Sequence, residues 1–371
     1  MKILYDYQAF TIQNYGGISK YFSELIKRFP YDGFKCNVGI LFSNNENYGP
    51  SFNPKLRYFF PEFKFKGKVK VLSMLNALVT SKYIFKNDFD LFHLTYYNTN
   101  HIKMVGNKPF VVTFYDLIHE KLSFQFPEFK ADQLIVKNKK KLLDTASRII
   151  SISETTKKDI VEFYGIDSSR IEVIHLGNSF CLNNGSKMER LVDEDYILFV
   201  GNRSFYKNFT FFLETIADLL IKYNLKLVCA GGGDFTPLER KFIDHLGLSK
   251  RIIIDNNIID DVLRNYYENA LFFCFPSLYE GFGIPVLESF ACRCPALLSN
   301  KGSLPEVGSD AANYFNPYDK QSLFVAANSL INDADLRHNM VSRGYKRVEK
   351  FTWENTFHQT LELYKSIKAH K

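Results

Sequence analysis

The sequence offers little that would tie the chain to a membrane span, a metal ion or an oxidising compartment. No run of eighteen apolar residues occurs in its 371 residues, so we expect no membrane-spanning helix. The opening residues, MKILYDYQAF, enter a strand pattern at once and lack the layout of a signal peptide. The six cysteines are scattered, and the C-x-C spacing of Cys292 and Cys294 is not a zinc spacing. These absences predict a cytoplasmic protein with reduced thiols and no metal.

Positive charge is concentrated in the first half of the chain. The net charge is +7, and residues 1–180 hold 25 Lys and Arg against 17 Asp and Glu, whereas residues 181–371 hold 22 against 23. A basic half is typical of a protein with an anionic partner, such as a membrane surface, a nucleic acid or a phosphorylated acceptor. A lysine-rich face in contact with solvent is the alternative.

Short apolar runs alternate with amphipathic stretches along most of the chain, and this series appears twice. Buried strands separated by helices predict parallel, doubly wound sheets. The sequence therefore predicts an α/β protein of two Rossmann-like domains that face each other across a cleft, at 1–182 and 183–350. The polar segment 179–195 is interpreted as the linker, and 351–371 as a last helix that crosses back to the first domain. The predicted strands are KILYDY, KCNVGILF, LFHLTYY, PFVVTFYD, RIISIS, IEVIHLG, YILFVGN, KLVCAGGG, RIIID, LFFCFPS and PALLSN.

Three predicted strands end in loops suited to a ligand with phosphates and hydroxyls. In SLYEGFGIPVLE a strand is followed by Glu280, two glycines and the start of a helix with Pro285 in its first turn. A helix N-terminus suits phosphate oxygens, and carboxylates accept hydrogen bonds from diols. VGNRSFYKN adds Arg203 and Lys207, two cations that can hold a diphosphate. QNYGGISKYF has glycines 16–17 before a helix, but it is neither G-x-G-x-x-G nor a Walker A loop. Together these loops predict a nucleotide-sugar site; solvated side chains around ordinary turns are the alternative.

These motifs resemble a known family. The chain is similar to the retaining glycosyltransferases of GT-B architecture with a Glu-x7-Glu signature (family 4 type), which include many mannosyl-, glucosyl- and galactosyltransferases of bacterial surface polysaccharides. Glu280 and Glu288, in PSLYEGFGIPVLE, match that signature. The resemblance covers nearly the whole chain and extends through QNYGGISKYF, VVTFYDLIHE, SISETTKKDI, VIHLGNSF, VGNRSFYKN, GSLPEVGSDAANYFNP and FTWENT. It says much less about which sugar is transferred.

The resemblance implies a role for each matching residue. Arg203 and Lys207 would bind the donor diphosphate and, with Glu280, act in catalysis. Glu280 would bind hydroxyls of the donor sugar, and Glu288 the ribose. Glycines 16–17 would form a loop over the phosphates. No metal or other cofactor is implied, because cationic side chains and helix dipoles would stabilise the leaving charge. The implied donor-binding residues are Gly16, Gly17, Arg203, Lys207, Glu280, Gly281, Phe282, Gly283, Ile284 and Glu288.

The chain departs from the family at one position. Many members have a histidine where this sequence has Tyr115, in VVTFYD, and Asp116 follows as in the family. Tyr115 could supply a hydrogen bond in place of that histidine, and His93 and His119 are alternatives. Tyr96, at a strand end, could stack on a sugar, with core packing as the alternative. We therefore include His93, Tyr96, Tyr115 and Asp116 as candidate contacts to acceptor or donor sugar.

A basic, aromatic segment lies in the first domain. Residues 55–70, KLRYFFPEFKFKGKVK, have six basic residues against one acid, with five aromatic residues among them, and 137–141 read KNKKK. Such mixtures suit an anionic membrane surface or single-stranded nucleic acid. We favour the membrane, because acceptors of the family that the chain resembles are often lipid-linked glycans. No recognised motif supports nucleic-acid binding.

The sequence therefore predicts a glycosyltransferase that retains anomeric configuration and is peripheral at the inner membrane face. Its partners would be a GDP- or UDP-sugar and a glycan or polyprenyl-linked acceptor, with mannose transfer from GDP-mannose to O-antigen or capsule as first candidate. Transfer of glucose, galactose or N-acetylhexosamine from UDP is a second candidate. A GT-B phosphorylase, a nucleotide-sugar epimerase and a non-catalytic glycan-binding module also fit the fold, with less support from the motifs.

Overall fold

A computed structural model of the chain describes residues 1–29, 33–180, 182, 188–256 and 258–369. The chain divides into two compact units, the first formed by Met1–Gly177 with Trp353–Lys371 and the second by Asn178–Thr352. The second unit already includes Asn178, whose N–H donates to the carbonyl of Phe351 at 2.8 Å. Within the predicted linker, Cys181 and residues 183–187 lie outside the described residues.

The first unit is built on a six-stranded parallel sheet with the order β2-β1-β3-β4-β5-β6. Helix α14, at the C-terminal end of the chain, belongs to this unit and packs against α1. The strands are β1 (Lys2–Tyr5), β2 (Lys35–Val38), β3 (Leu91–Leu94), β4 (Phe110–Phe114), β5 (Arg148–Ser151) and β6 (Ile171–Val173). The helices are α1 (Gly17–Lys27), α2 (Lys68–Lys86), α3 (Ile102–Val105), α4 (Ile118–Leu122), α5 (Gln133–Thr145), α6 (Glu154–Tyr164) and α14 (Trp353–Ala369), with 3-10 turns at Gln8–Phe10, Pro127–Asp132 and Ser168–Arg170.

The second unit repeats this plan with the strand order β12-β11-β10-β7-β8-β9, again all parallel. The strands are β7 (Tyr196–Val200), β8 (Lys226–Ala230), β9 (Ile252–Asp255), β10 (Phe272–Phe275), β11 (Ala296–Ser299) and β12 (Ala312–Phe315). The helices are α7 (Phe209–Lys222), α8 (Pro237–His245), α9 (Asp260–Asn269), α10 (Ile284–Ala291), α11 (Leu304–Gly308), α12 (Lys320–Asn332) and α13 (Ala334–Val348), with 3-10 turns at Phe205–Lys207 and Ser309–Ala311.

Local sequence accounts for most of these elements. The central strands β4 and β10 are buried at every position, as expected for parallel strands covered by helices on both faces. Helix α8 begins with a capping box, in which the side chains of Thr236 and Glu239 accept hydrogen bonds from each other's backbone N–H groups. Pro237 is the first residue of the helix, where its missing N–H costs nothing. Helix α6 is capped by the Ser153 hydroxyl, which accepts a hydrogen bond from Thr156 N–H at 3.0 Å.

The predicted fold class is confirmed by two doubly wound parallel sheets. All eleven predicted strands are present, and β12 was missed because ANYF is short and only partly buried. Helix α2 was also missed, since the basic segment 55–70 was treated as a separate feature and α2 begins inside it at Lys68. Among the described residues, the helices include none long and apolar enough to span a membrane.

Candidate active site

The second sheet has a crevice where its strand order reverses. Strands β7 and β10 are neighbours at its centre, and the chain continues from β7 toward β8 and β9 but from β10 toward β11 and β12. Loops that leave two adjacent strands in opposite directions open a crevice at the carboxyl ends of the strands, where ligands bind in this type of fold. The predicted residues of VGNRSFYKN follow β7, and those of SLYEGFGIPVLE follow β10.

An ion pair joins these two loops. Lys207 Nζ lies 2.6 Å from Glu280 Oε1, and both side chains are only 12–13% exposed. The ammonium group also lies 4.9 Å from the centre of the Phe275 ring. The backbone supports this contact, because Leu278 N–H donates to the Tyr206 carbonyl at 2.7 Å. A largely buried cation and carboxylate in contact can exchange partners with a ligand that carries both a phosphate and hydroxyl groups.

Two residues that the sequence analysis missed hold Glu280 in place. The Ser303 hydroxyl, fully buried, donates to the carbonyls of Glu280 and Phe282, at distances of 2.9 and 2.7 Å. A Cβ atom at Gly302 would lie 2.7 Å from Glu280 N, so only glycine allows this approach. The signal was available in the sequence, since residues 302–303 follow a predicted strand, β11, in the same way as the other candidate loops.

The glycine-rich turn after Glu280 starts a helix as predicted. Gly283 has φ +108° and precedes the first residue of α10, and Pro285 lies in the first turn. A Cβ atom at Gly283 would lie 2.9 Å from Leu304, so the turn also needs glycine for space. Gly281, Phe282 and Gly283 are buried and Ile284 is partly exposed. The start of α10 thus lies directly beside Glu280.

Glu288 lies in the second turn of α10 and has a partner on another helix. Its Oε2 accepts a hydrogen bond of 3.2 Å from the hydroxyl of Tyr267, in α9. Tyr267 is fully buried. Burial, followed by the nearby Glu288 carboxylate, raises the pKa of Tyr267 well above its usual value, so the phenol stays protonated and donates. Sequence reasoning identified the carboxylate but not the tyrosine that orients it.

Arg203 has different partners from Lys207. Its Nε donates to Glu239 at 2.8 Å, and its terminal nitrogens donate to the carbonyls of Gly231, Gly233 and Asp234. Glycines 231–233 all have positive φ, and a Cβ atom at Gly232 would lie 2.5 Å from the Gly201 carbonyl. The Arg203 side chain is 4% exposed. The structure therefore places the guanidinium against the glycine-rich loop after β8, where it satisfies carbonyl groups that the left-handed turns leave without helix or strand partners.

The predicted glycines of the first unit lie at the start of α1. Gly16 precedes the helix in an extended conformation, and Gly17 is its first residue. A Cβ atom at Gly16 would lie 2.6 Å from the side chain of Gln13. The Ser19 hydroxyl donates to the Gly16 carbonyl at 3.0 Å, so this helix start is stabilised locally. The structure thus confirms a turn followed by a helix, and the contact with phosphates stays a prediction.

Tyrosine side chains gather at the carboxyl ends of β3 and β4. Tyr115 is buried and its hydroxyl donates to the Thr95 carbonyl at 2.8 Å. Tyr96 is partly exposed, and its ring stacks on that of Tyr115 with centroids 6.3 Å apart. Asp116 is 28% exposed, and its carboxylate accepts a hydrogen bond from Ile118 N–H at 3.1 Å. Of the candidate sugar contacts, Tyr96 and Asp116 are the accessible ones, whereas Tyr115 uses its hydroxyl inside the unit.

The structure places His93 in the core, contrary to its use as a sugar contact. The side chain is fully buried in β3, where Nδ1 lies 2.5 Å from the Tyr364 hydroxyl and Nε2 lies 3.0 Å from the Thr113 hydroxyl. Burial lowers the pKa of His93 to about 3. Because both ring nitrogens are bonded and shielded from solvent, this histidine links β3 to α14 and has a structural role.

Among the described residues of the two units, no group of three or more His, Cys, Asp or Glu side chains is placed to hold a metal ion.

Two family models match the chain. The model described as Glycosyltransferase Family 4 matches residues 15–178, and the model described as Glycosyl transferases group 1 matches residues 186–347. The chain is a glycosyltransferase that combines these two family domains. The predicted family and enzyme class are therefore confirmed.

Curated relatives of this glycosyltransferase match it over about two thirds of its length. Uncharacterized glycosyltransferase MJ1607 of Methanocaldococcus jannaschii is 26% identical over 59% of this chain, and the match spans 60% of that protein. O-antigen chain mannosyltransferase B of Escherichia coli is 27% identical over 69% of this chain and 70% of its own length.

Solved structures show the same fold at lower identity. Sucrose-phosphate synthase from Thermosynechococcus elongatus aligns over 100% of both chains with a TM-score of 0.81 and 18% identity. The Anabaena protein Alr3699/HepE, solved in complex with UDP and glucose, aligns over 99% of this chain and 100% of its own with a TM-score of 0.73 and 16% identity. These neighbours confirm the predicted GT-B fold class.

Proposed function

We propose that this glycosyltransferase transfers a hexose from a nucleoside diphosphate sugar to a growing surface glycan, with mannose from GDP-mannose as first candidate. The contact between Lys207 and Glu280 carries the proposal, because it pairs a phosphate-binding group with a hydroxyl-binding group in one crevice. Similarity to proteins named as O-antigen chain mannosyltransferases supports the choice of mannose and of a surface-polysaccharide acceptor.

The proposed chemistry uses this crevice as follows. The bond between the anomeric carbon and the donor phosphate breaks, and the nucleoside diphosphate leaves. The acceptor hydroxyl attacks the anomeric carbon from the face on which the diphosphate leaves, and it gives its proton to a donor phosphate oxygen. The configuration at the anomeric carbon is therefore retained. Lys207 would stabilise the charge of the leaving diphosphate, and Glu280 would hold the hydroxyls of the sugar. Glu288 would bind the ribose, oriented by Tyr267. The reaction would need no divalent metal.

We place the acceptor at a membrane surface as part of this proposal. Residues 55–70 supply six basic side chains, which favour an anionic surface carrying a lipid-linked glycan. The second basic segment, 137–141, offers less free positive charge to a membrane surface than its sequence indicates. Lys139 is fully buried and pairs with Glu120 at 3.0 Å, and Lys140 pairs with Asp144 at 2.6 Å. Two of its four lysines are therefore paired within the unit.

Transfer from a UDP-hexose is the second candidate. The observation in its favour is that Alr3699/HepE, which shares the fold, has been solved with UDP, with UDP and glucose, and with UDP-glucose.

The test is a thermal-shift panel of GDP, UDP, ADP, CMP and dTDP in the presence of EDTA. We expect one nucleotide, with GDP first, to raise the unfolding midpoint by several degrees. The shift should be lost in Lys207→Gln and kept in Lys241→Gln, which removes an exposed lysine of α8. The corresponding nucleotide sugar should then give a product whose one-bond coupling between the anomeric carbon and its proton shows retention.

Three outcomes would contradict parts of this proposal. If no nucleotide shifts the midpoint, the crevice is not a nucleotide-sugar site. If a shift requires added divalent cation, the metal-free mechanism is wrong. If UDP alone shifts the midpoint, the donor is the second candidate.

A further inference from the structure

Helix α2 carries an apolar stripe that faces solvent in the full chain. Met74, Leu78 and Phe85 are 60, 64 and 78% exposed, and Val71 is exposed in line with them. Their spacing of three, four and seven residues places them on one side of the helix. We call these four residues the α2 outer face. Lys82 lies between Leu78 and Phe85 on this side, so the face is apolar with a basic residue within it. Exposed aliphatic and aromatic side chains grouped on one face mark a surface that is covered by a partner.

Packing within the first unit does not explain this stripe, because the buried side of α2 is partly polar. It consists of Leu72, Asn76, Thr80 and Ile84. Asn76 accepts hydrogen bonds from the N–H groups of Leu41 and Phe42 and donates to the Phe42 carbonyl, and Thr80 donates to the Gly39 carbonyl. Polar bonds thus help Leu72 and Ile84 attach the helix to the unit, while further apolar residues of α2 remain exposed. An ordinary surface helix carries polar residues on its outer side instead.

An aromatic loop continues the outer face at the N-terminal end of α2. Phe60, Phe63 and Phe65 are all exposed. The loop is ordered, since Lys68 Nζ donates to the carbonyls of Phe60 and Phe63 at 2.7 and 3.0 Å. The side chain of Asn44 adds two hydrogen bonds to the backbone of the preceding residue, Phe59. The apolar surface therefore extends over a helix and a loop that are held together.

The charge around this surface has one sign. Helix α2 contains Lys68, Lys70, Lys82 and Lys86 and no acidic residue. The segment 55–67 adds four basic residues against Glu62. Lysines beside an apolar stripe match the interface of an anionic bilayer, where apolar side chains enter the acyl boundary and ammonium groups remain at the phosphates. A symmetric contact with a second copy would instead bring these lysines close to their own copies, which repel each other.

We infer that the α2 outer face and the loop at 60–65 lie flat on an anionic bilayer and hold the first unit at the membrane. This assignment extends the proposed function by naming the docking surface, and it does not depend on which sugar is transferred. The surface is built from apolar insertion and lysine contacts together, so both should contribute to binding.

The experiment is co-sedimentation of the full chain, without donor, with vesicles of phosphatidylglycerol and phosphatidylcholine. We expect wild type to pellet with these vesicles, less with pure phosphatidylcholine, and less as salt increases. The double variant Leu78→Gln/Phe85→Gln should reduce partitioning by about tenfold or more, because two exposed apolar side chains no longer enter the interface. The matched control is Leu238→Gln on α8 of the second unit. Leu238 is 79% exposed, as much as Phe85, so this variant should bind vesicles like wild type.

A second measurement locates the insertion directly. Leu78→Trp should show a blue-shifted tryptophan emission on adding anionic vesicles, and Leu238→Trp should not, with the buried Trp353 as a constant background. Equal pelleting of wild type and the double variant would overturn the proposal. So would a wild-type dimer in sedimentation velocity that the double variant abolishes, because the face would then cover a second copy. The thermal-shift panel with nucleotides contains no vesicles, so it tests the proposed function independently of membrane binding. Failure of docking and failure of the proposed function are therefore distinguishable.

Discussion

The two glutamates of the signature have different surroundings, which predicts different consequences of their removal. Glu280 contacts the cation Lys207 in the crevice, whereas Glu288 accepts a hydrogen bond from the neutral Tyr267. Under the proposed function, Glu280 would act on the reacting part of the donor, and Glu288 on the nucleoside, whose binding does not change during the reaction.

We expect Glu288→Ala to weaken nucleotide binding by about 10- to 100-fold, the loss expected for hydrogen bonds to a charged group. Glu280→Ala should lower kcat by roughly 100-fold or more while changing nucleotide affinity little. Calorimetric titration of the nucleotide and initial rates with the nucleotide sugar measure the two effects. Wild-type transfer rates in both variants would show that these roles are wrong.

Tyr267 should act on the donor site through Glu288. Tyr267→Phe removes the hydroxyl that fixes Oε2, so we expect nucleotide affinity to fall several-fold, equivalent to about 1 kcal/mol, with kcat unchanged. A double-mutant cycle with Glu288→Ala should show that the tyrosine variant has no further effect once the carboxylate is gone.

Tyr196→Phe is the matched control for this pair. Its hydroxyl is also buried in the second unit, but it donates to the carbonyl of Tyr266. It should leave nucleotide affinity as in wild type. Additive losses in the cycle would mean that Tyr267 supports the fold rather than the carboxylate.

At the scale of elements, the loop after β8 depends on Arg203. The guanidinium bonds to three carbonyls of this loop and to Glu239 at the start of α8. A lysine can neither reach all of these acceptors nor match their planar geometry. Arg203→Lys should therefore destabilise the second unit by about 1–2 kcal/mol, since it removes several hydrogen bonds that hold this loop.

Urea unfolding without ligand measures this loss. The control is Arg240→Lys, since Arg240 is an exposed arginine of α8 whose Nε bonds to the Phe235 carbonyl. It should change stability by less than about 1 kcal/mol. If Arg203→Lys unfolds like wild type and loses only nucleotide binding, Arg203 is a ligand of the diphosphate, as its position in VGNRSFYKN predicts.

At the scale of the whole molecule, His93 should make the first unit sensitive to mild acid. Burial holds the pKa of His93 at about 3 in the folded state, against about 6.5 in an unfolded chain. Between these values the unfolded chain binds a proton that the folded one does not, so stability rises with pH and is lost as pH falls below about 6.5. At pH 5.5 this proton uptake lowers the free energy of unfolding by on the order of 1 kcal/mol relative to neutral pH.

Urea unfolding at pH 7.5 and 5.5 checks this dependence. His93→Gln should be less stable than wild type at pH 7.5, because it loses bonds to Tyr364 and Thr113, but it should lose less stability on acidification. His358→Gln, which removes an exposed histidine of α14, should keep the wild-type dependence. Identical pH dependence in all three proteins would show that His93 is not the titrating group.

Much of the fold and of the site was predictable because the signals are local. Buried strand runs and amphipathic stretches identified eleven strands and the doubly wound class, since burial on both faces leaves a continuous apolar run within a few residues. The strand-end motifs brought Lys207 and Glu280 together as expected, because parallel strands end at the same edge of the sheet.

The family, the strands and the loops that form the crevice can be predicted from the sequence. Which side chains of those loops meet in the crevice, and which are bonded elsewhere, depends on the folded structure. Lys207 pairs with Glu280, 73 residues away, Arg203 turns to the loop after β8, and His93 is bonded to Tyr364, 271 residues away. The exposure of apolar residues on α2 also depends on contacts with a distant segment, since polar residues of this helix bond to the segment after β2. The physical reason is that partners and burial are set by contacts between distant segments, whereas spacing along the chain reports only on neighbours in sequence.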